Sequence, residues 1–152
     1  MTKLAHRAAA LLLAAFFAGH TVGTFAGRSL GPAADAVLLS MRTVRFDFNG
    51  TDRTLGEILF GHGLLVSLYL LGSALLAWRL SSTDDRRWPT VAPIAWGLAL
   101  AQVATAGVAA TCFFAGPAVI TATAAGLLLA GNLGAARRAS GAAFAPTRGS
   151  PR

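Results

Sequence analysis

Four long apolar runs limit what this chain can fold into. Each run approaches or exceeds the ~20 residues that a helix needs to cross a hydrocarbon core about 30 Å thick. None alternates with a period of two, as the strands of a membrane barrel do, so each run predicts a helix. We predict spans at residues 8–26, 55–80, 91–114 and 117–136. The predicted fold is therefore all-α, a four-helix transmembrane bundle within residues 1–136.

The composition also favours a membrane protein. Hydrophobic residues make up 55% of the chain and charged residues 12%, whereas soluble domains have roughly 25% charged residues. A net charge of +7 can indicate nucleic-acid binding, but here the cations flank the apolar runs. They also lack the interleaved aromatic residues that single-strand binders use. We therefore expect a lipid bilayer as partner and no nucleic acid.

Lysine and arginine are divided unevenly between the segments outside the four runs. Nine of the 13 lie on the side shared by the N-terminus, the second link and the tail, namely Lys3, Arg7, Arg79, Arg86, Arg87, Arg137, Arg138, Arg148 and Arg152. The other four are Arg28, Arg42, Arg45 and Arg53, in the first link. Cytoplasmic loops carry the excess of positive charge. The count predicts a multi-pass membrane protein with both termini in the cytoplasm.

The first run has a second interpretation. A basic start followed by an apolar core is also typical of a signal peptide, and residues 21–23 or 24–26 could serve as a weak cleavage site. We favour retention because the apolar sequence continues beyond a usual signal core. Three further spans also need a partner to pack against.

The link between the first two spans carries an amphipathic pattern. Val37, Met41, Val44 and Phe48 fall on one face at helical spacing. We predict an extracytoplasmic helix over residues 33–46. It could close the outer mouth of the bundle or sense the outer bilayer surface, and we favour the first role.

Two other segments outside the spans have clear signals. The pair Asn49-Gly50 is a strong turn signal. Residues 137–152 are rich in Gly, Ala, Pro and Ser, and they predict a basic, disordered cytoplasmic tail.

Polar and ionisable groups inside a membrane mark candidate sites because they are costly there. Most of them gather toward the outer ends of the first two spans. On a helix, His62 and Tyr69 share a face, whereas Glu57 and His62 lie about 140° apart. The candidate ligand-binding residues are His20, Thr21, Arg42, Arg45, Glu57, His62 and Tyr69.

The same residues also have a structural interpretation. Each histidine could bond a carbonyl or hydroxyl group on the next helix, and Glu57 could pair with an outer arginine. In the later spans we expect Gln102 and Asn132 to hydrogen-bond within the bundle.

Two rows of small residues allow close helix contact in the third and fourth spans. The rows are Gly97, Ala101, Thr105 and Ala109, and Ala122, Gly126, Ala130 and Gly134. We expect these rows to meet within one subunit rather than between subunits. The lone Cys112 excludes an intrachain disulfide and paired-thiol chemistry.

Short motifs give the chain a resemblance to a known family. They are Gly19-His20-Thr21, Gly50-Thr51-Asp52-Arg53-Thr54, Phe60-Gly61-His62-Gly63 and Phe113-Phe114-Ala115-Gly116-Pro117. With them the chain resembles a family of uncharacterised small four-span bacterial membrane proteins that have Gly-His-Thr in the first span. The resemblance implies the four-span architecture and a candidate site toward the outer side of the membrane. It implies no activity.

Three functions are compatible with these patterns. We favour a non-enzymatic membrane protein whose outer mouth binds a small ligand, a lipid or a protein partner, with no cofactor. One alternative is a redox protein or enzyme that holds haem or a transition metal with His20 and His62. The other is a small-molecule transporter, which at this size needs a homo-oligomer. No nucleophile, base and orienting group are visible as a catalytic set.

Overall fold

The computed structural model describes residues 2–26 and 29–143. The helices are α1 (Thr2–Phe25), α2 (Pro32–Thr43), α3 (Leu55–Ser81), α4 (Trp88–Cys112) and α5 (Ala115–Ala143), and a 3-10 turn (Asp85–Arg87) precedes α4. Two short strands, β1 (Arg45–Phe48) and β2 (Thr51–Thr54), lie between α2 and α3. The four long helices are long and apolar enough to cross a membrane. The predicted all-α fold with four membrane-length helices is confirmed.

The predicted tail is partly wrong. Helix α5 continues to Ala143, so residues 137–143 are helical rather than disordered. The extension is held in place because Ala139 packs against the core and Arg138 Nε bonds both carboxylate oxygens of Asp85, at 3.0 and 3.1 Å. Residues 144–152 lie outside the described residues, as do Arg28, Arg148 and Arg152 from the charge count.

The predicted outer helix is too long. Helix α2 ends at Thr43, and residues 45–46 belong to a strand instead. β1 pairs with β2 in antiparallel register around Asn49 and Gly50, whose φ angles are 52° and 79°. Both residue types accept positive φ in a two-residue hairpin turn. Arg45–Phe48 therefore form a strand that pairs across this turn with Thr51–Thr54. In this strand Phe46 and Phe48 alternate with charged residues.

The described chain separates into two compact units, and each has its own packing. One contains residues 1–14 and 72–152 and brings parts of all four long helices together. Its core is mostly alanine, which lets helices approach closely. The core residues are Ala9, Ala10, Ala77, Leu80, Trp88, Ala95, Leu98, Ala99, Leu128 and Ala135.

The other unit contains residues 15–71. Here the second half of α1 packs on the first half of α3. The rings of Phe25 and Phe60 meet edge to face with centroids 5.4 Å apart. One turn farther along, a Cβ placed on Gly63 would lie 2.8 Å from Thr24 Cγ2, so this position allows the close approach of the two helices. Helix α2 buries no residue.

The small-residue rows do not both meet inside the chain as expected. Ala122, Gly126 and Ala130 of α5 are exposed, and Gly97 of α4 is exposed as well. A Cβ built on Gly126 or Gly97 would meet no atom within 4 Å. The outward faces of α4 and α5 therefore keep these small residues unpacked within the chain.

Candidate functional site

His20 has a hydroxyl partner on the neighbouring helix. Its Nδ1 lies 3.1 Å from Ser67 Oγ, and Thr21 Oγ1 donates to the same oxygen at 3.0 Å. The buried Ser67 hydroxyl also lies 3.2 Å from the Gly63 carbonyl, so it donates its one proton to either that carbonyl or His20. The expected bond between His20 and a hydroxyl group on the next helix is present, and it joins α1 to α3 through Ser67.

His62 lies on a different face of α3. It is exposed, and five residues separate it from the buried Ser67, an angle of about 140° around a helix. Tyr69 lies two turns farther along α3 and is 38% exposed. No hydrogen bond joins His20 to His62 in the described part of the chain. Residues 2–26 and 29–143 contain no group of three or more His, Cys, Asp or Glu side chains placed to hold a metal.

Glu57 caps the start of its own helix. Its Oε2 accepts the backbone N–H of Thr54 at 2.8 Å, and the backbone N–H of Glu57 donates to Thr54 Oγ1 at 3.1 Å. This reciprocal pair is a capping box, which satisfies two N–H groups that the start of a helix leaves without partners. Among the described residues Glu57 forms no ion pair with an outer arginine, so the expected pair stays a prediction.

Arg45 is occupied within the hairpin. Its Nε lies 2.7 Å from Asp52 Oδ2, and its guanidinium also donates to the Asp52 carbonyl at 3.0 Å. The hydrogen bond and charge of Asp52, with a smaller contribution from Glu57, raise the pKa of Arg45. The Arg45–Asp52 pair is exposed, which limits its contribution to stability.

Arg42 contacts the first turn of α3. A Cβ on Gly56 would lie 3.0 Å from Arg42 Cγ and 3.1 Å from the Met41 carbonyl oxygen. The aliphatic stem of Arg42 thus covers the glycine. Among residues 2–26 and 29–143, neither Arg42 nor Arg53 forms an ion pair.

The hairpin has two unlike faces. Directly opposed residues of antiparallel strands share a face, and the register pairs Phe46 with Arg53 and Phe48 with Thr51. These four residues make one face, on which the two phenylalanine rings meet edge to face at 6.3 Å. The opposite face carries the Arg45–Asp52 pair. The hairpin is therefore amphipathic, with an aromatic face that also carries Arg53.

An open groove of about 470 Å³ begins at this aromatic face and continues onto α3. It is lined by Phe48, Thr51, Arg53, Glu57 and Ile58. Of the predicted site residues, only Glu57 lines it. Sequence reasoning missed the other four, although the alternating phenylalanines and the Asn49-Gly50 turn were signals of an amphipathic hairpin.

A second polar group lies in the other unit, and its histidine was not predicted from the sequence. His6 is 2% exposed, and its Nε2 lies 2.9 Å from Asn132 Oδ1. Asn132 Nδ2 donates to the Ala95 carbonyl at 2.9 Å, and the His6 ring lies 6.3 Å from the Trp88 ring. His6 precedes the predicted start of the first span, so its burial could not be predicted from the hydropathy pattern.

The polar residues expected to bond inside the bundle do so. Gln102 Nε2 donates to Ser73 Oγ at 3.3 Å, and both residues are buried. The bonds of Gln102 and Asn132 confirm the expectation that both residues hydrogen-bond within the bundle.

Comparison of the chain with protein-family models, curated protein sequences and solved structures finds no match. The resemblance to the four-span family therefore stays a prediction.

Proposed function

We propose that the chain is a non-enzymatic, multi-pass protein of the bacterial cytoplasmic membrane that binds an amphiphile at its outer end. In this proposal both termini are cytoplasmic, as the lysine and arginine distribution favours. The hairpin between α2 and α3 then faces the outside. The bond of His20 to Ser67 supports a non-enzymatic protein, because it gives this histidine a partner within the chain.

The groove at the start of α3 is the observation that carries the proposal. It combines the apolar side chains of Phe48 and Ile58 with the guanidinium of Arg53. Ligand sites typically combine an apolar lining with a few polar groups that fix orientation, in volumes of roughly 300–1,000 Å³. The groove has both properties. Its ligand would be a molecule with an apolar part and an anionic part.

The position of the groove also suits an amphiphile. Helix α3 has 27 residues and is about 40 Å long at 1.5 Å per residue. It therefore exceeds the hydrocarbon core of about 30 Å, and its first turn would lie in the polar interface. Amphiphiles are concentrated at that depth.

Binding of a dansyl-labelled lysophospholipid to the purified protein tests the proposal. Phe48→Ala and Arg53→Gln should each weaken binding roughly tenfold, a loss of about 1.4 kcal/mol. Leu39→Ala and Arg42→Gln are matched controls on the neighbouring helix α2, because neither residue lines the groove. They should change binding less than about twofold. Absence of binding by the unmodified protein, or equal losses in groove and control variants, would overturn the proposal.

A further inference from the structure

The groove holds two opposite charges rather than one. Arg53 is in β2, Glu57 is in the first turn of α3, and both side chains line the same surface. They are four positions apart in the sequence, and the junction of strand and helix at Thr54 and Leu55 lies between them. A simple anion would be attracted by Arg53 and repelled by Glu57. A ligand with both an anionic and a cationic group would match both side chains.

Neither charge is neutralised by a protein partner in the described residues. Arg53 forms no ion pair there. The capping bond of Glu57 uses only Oε2, which leaves Oε1 able to accept a further hydrogen bond. Arg45 is held by two bonds to Asp52.

An apolar strip continues from the groove along α3. Ile58 lines the groove, and Leu55 and Leu59 beside it are 41% and 49% exposed. Residues three and four positions apart are neighbours on a helix surface, so Leu55, Ile58 and Leu59 form a continuous strip. This strip provides a surface for an acyl chain below the charged pair.

We infer that the groove takes a phospholipid whose headgroup carries a phosphate and a primary ammonium. The phosphate lies at Arg53, the ammonium at Glu57, and an acyl chain follows Ile58. A primary ammonium donates N–H bonds to a carboxylate, whereas a trimethylammonium has no N–H to donate. The site therefore distinguishes phosphatidylethanolamine from phosphatidylcholine. This inference rests on the proposed function, and it adds the headgroup class.

The test compares three lipids with the same acyl chains on delipidated protein, by native mass spectrometry in mild detergent. The lipids are phosphatidylethanolamine, phosphatidylcholine and phosphatidylglycerol. The unmodified protein should bind the ethanolamine lipid roughly fivefold more tightly than the other two, as expected for an exposed charged pair. Glu57→Gln should remove this preference, because its amide has no charge to attract the ammonium.

Glu57→Gln is a suitable variant because glutamine also completes a capping box. Its fold and its unfolding temperature should therefore be preserved, and a circular dichroism melt checks this. Arg53→Gln should weaken binding of all three lipids. Equal binding of all three lipids by the unmodified protein would overturn the headgroup assignment while leaving the amphiphile proposal intact. A preference unchanged in Glu57→Gln would overturn it too, and no binding of any lipid would overturn both proposals.

Discussion

His6 Nε2 and Asn132 Oδ1 lie 2.9 Å apart in a bond that joins the first and the last long helix. Asn132 uses its amide N–H to bond the Ala95 carbonyl, so its oxygen accepts from His6 and the histidine carries its proton on Nε2. Both side chains are buried among alanines. Removal of His6 leaves Asn132 Oδ1 without this bond, and removal of Asn132 leaves His6 Nε2 without it, and an unpaired buried polar atom is unfavourable.

A double-mutant cycle on this pair should therefore show coupling. His6→Ala and Asn132→Ala should each lower the free energy of unfolding in detergent micelles. The coupling energy should be about 0.6 kcal/mol, the average for hydrogen bonds between membrane helices, and should not exceed about 1.7 kcal/mol. The exposed Leu133 gives a control, since Leu133→Ala should have little effect. Additive effects of the two alanines would contradict the bond.

The two glycines beside His62 should tolerate substitution differently. A Cβ on Gly63 would lie 2.8 Å from Thr24 Cγ2, whereas a Cβ on Gly61 would meet nothing within 4 Å. Thr24 cannot rotate freely, because its hydroxyl bonds the His20 carbonyl. Gly63→Ala should thus cost about 1–3 kcal/mol through overpacking, while Gly61→Ala should be neutral or slightly stabilising. Thermal unfolding of the two variants measures the difference, and equal melting temperatures would refute the close contact.

The stability of the start of α2 should decrease at acidic pH. The Asp35 carboxylate accepts the Ser29 hydroxyl at 2.6 Å and the Leu30 N–H at 2.9 Å. These bonds lower the pKa of Asp35, the Ser29 bond most. A lowered folded-state pKa means that the stabilisation is complete above the ordinary value of about 3.9 and is lost as the pH falls through the folded value.

The Leu30 amide chemical shift provides the measurement for Asp35. Its titration midpoint should lie below about 3.9, and Asp35→Asn should abolish the titration. A midpoint at or above the ordinary value would show that the two hydrogen bonds do not form in solution.

Helix α1 should be retained in the mature protein. His6, Ala9, Ala10 and Leu13 are all buried by the other helices of their unit, so cleavage after the first two dozen residues would open that core. The intact mass of protein extracted from membranes should include residues 2–26. A mass lowered by about the first two dozen residues would favour the signal-peptide interpretation instead.

The spans could be predicted from the sequence, but the partners of the polar groups could not. A run of about 20 apolar residues predicts a membrane helix whatever it packs against. The partner of a buried side chain depends instead on how distant helices are aligned. His20 and Ser67 are 47 positions apart, and His6 and Asn132 are 126 apart. No local spacing contains that information.

The hairpin illustrates a different limit. The residues from Val37 to Phe48 fit a helical period, while Phe46 and Phe48 also fit a strand period, and short apolar segments leave such a choice open. The Asn49-Gly50 turn and pairing with β2 favour a strand over a helix for Arg45–Phe48. The candidate site is accordingly the groove beside Arg53, whereas the sequence pattern favoured the histidines. The haem, metal and transporter alternatives stay predictions.

Photo-crosslinking tests the central claim, that the outer groove holds an amphiphile, most directly. Membranes containing the protein are loaded with a phospholipid that carries a photoreactive headgroup, then extracted into detergent and washed so that only retained lipid remains. After illumination, peptide mass mapping should place the adducts on residues 45–58, and Arg53→Gln should reduce them roughly tenfold. Adducts spread evenly over the four long helices, or confined to residues near Lys3 and Asp85, would contradict the account.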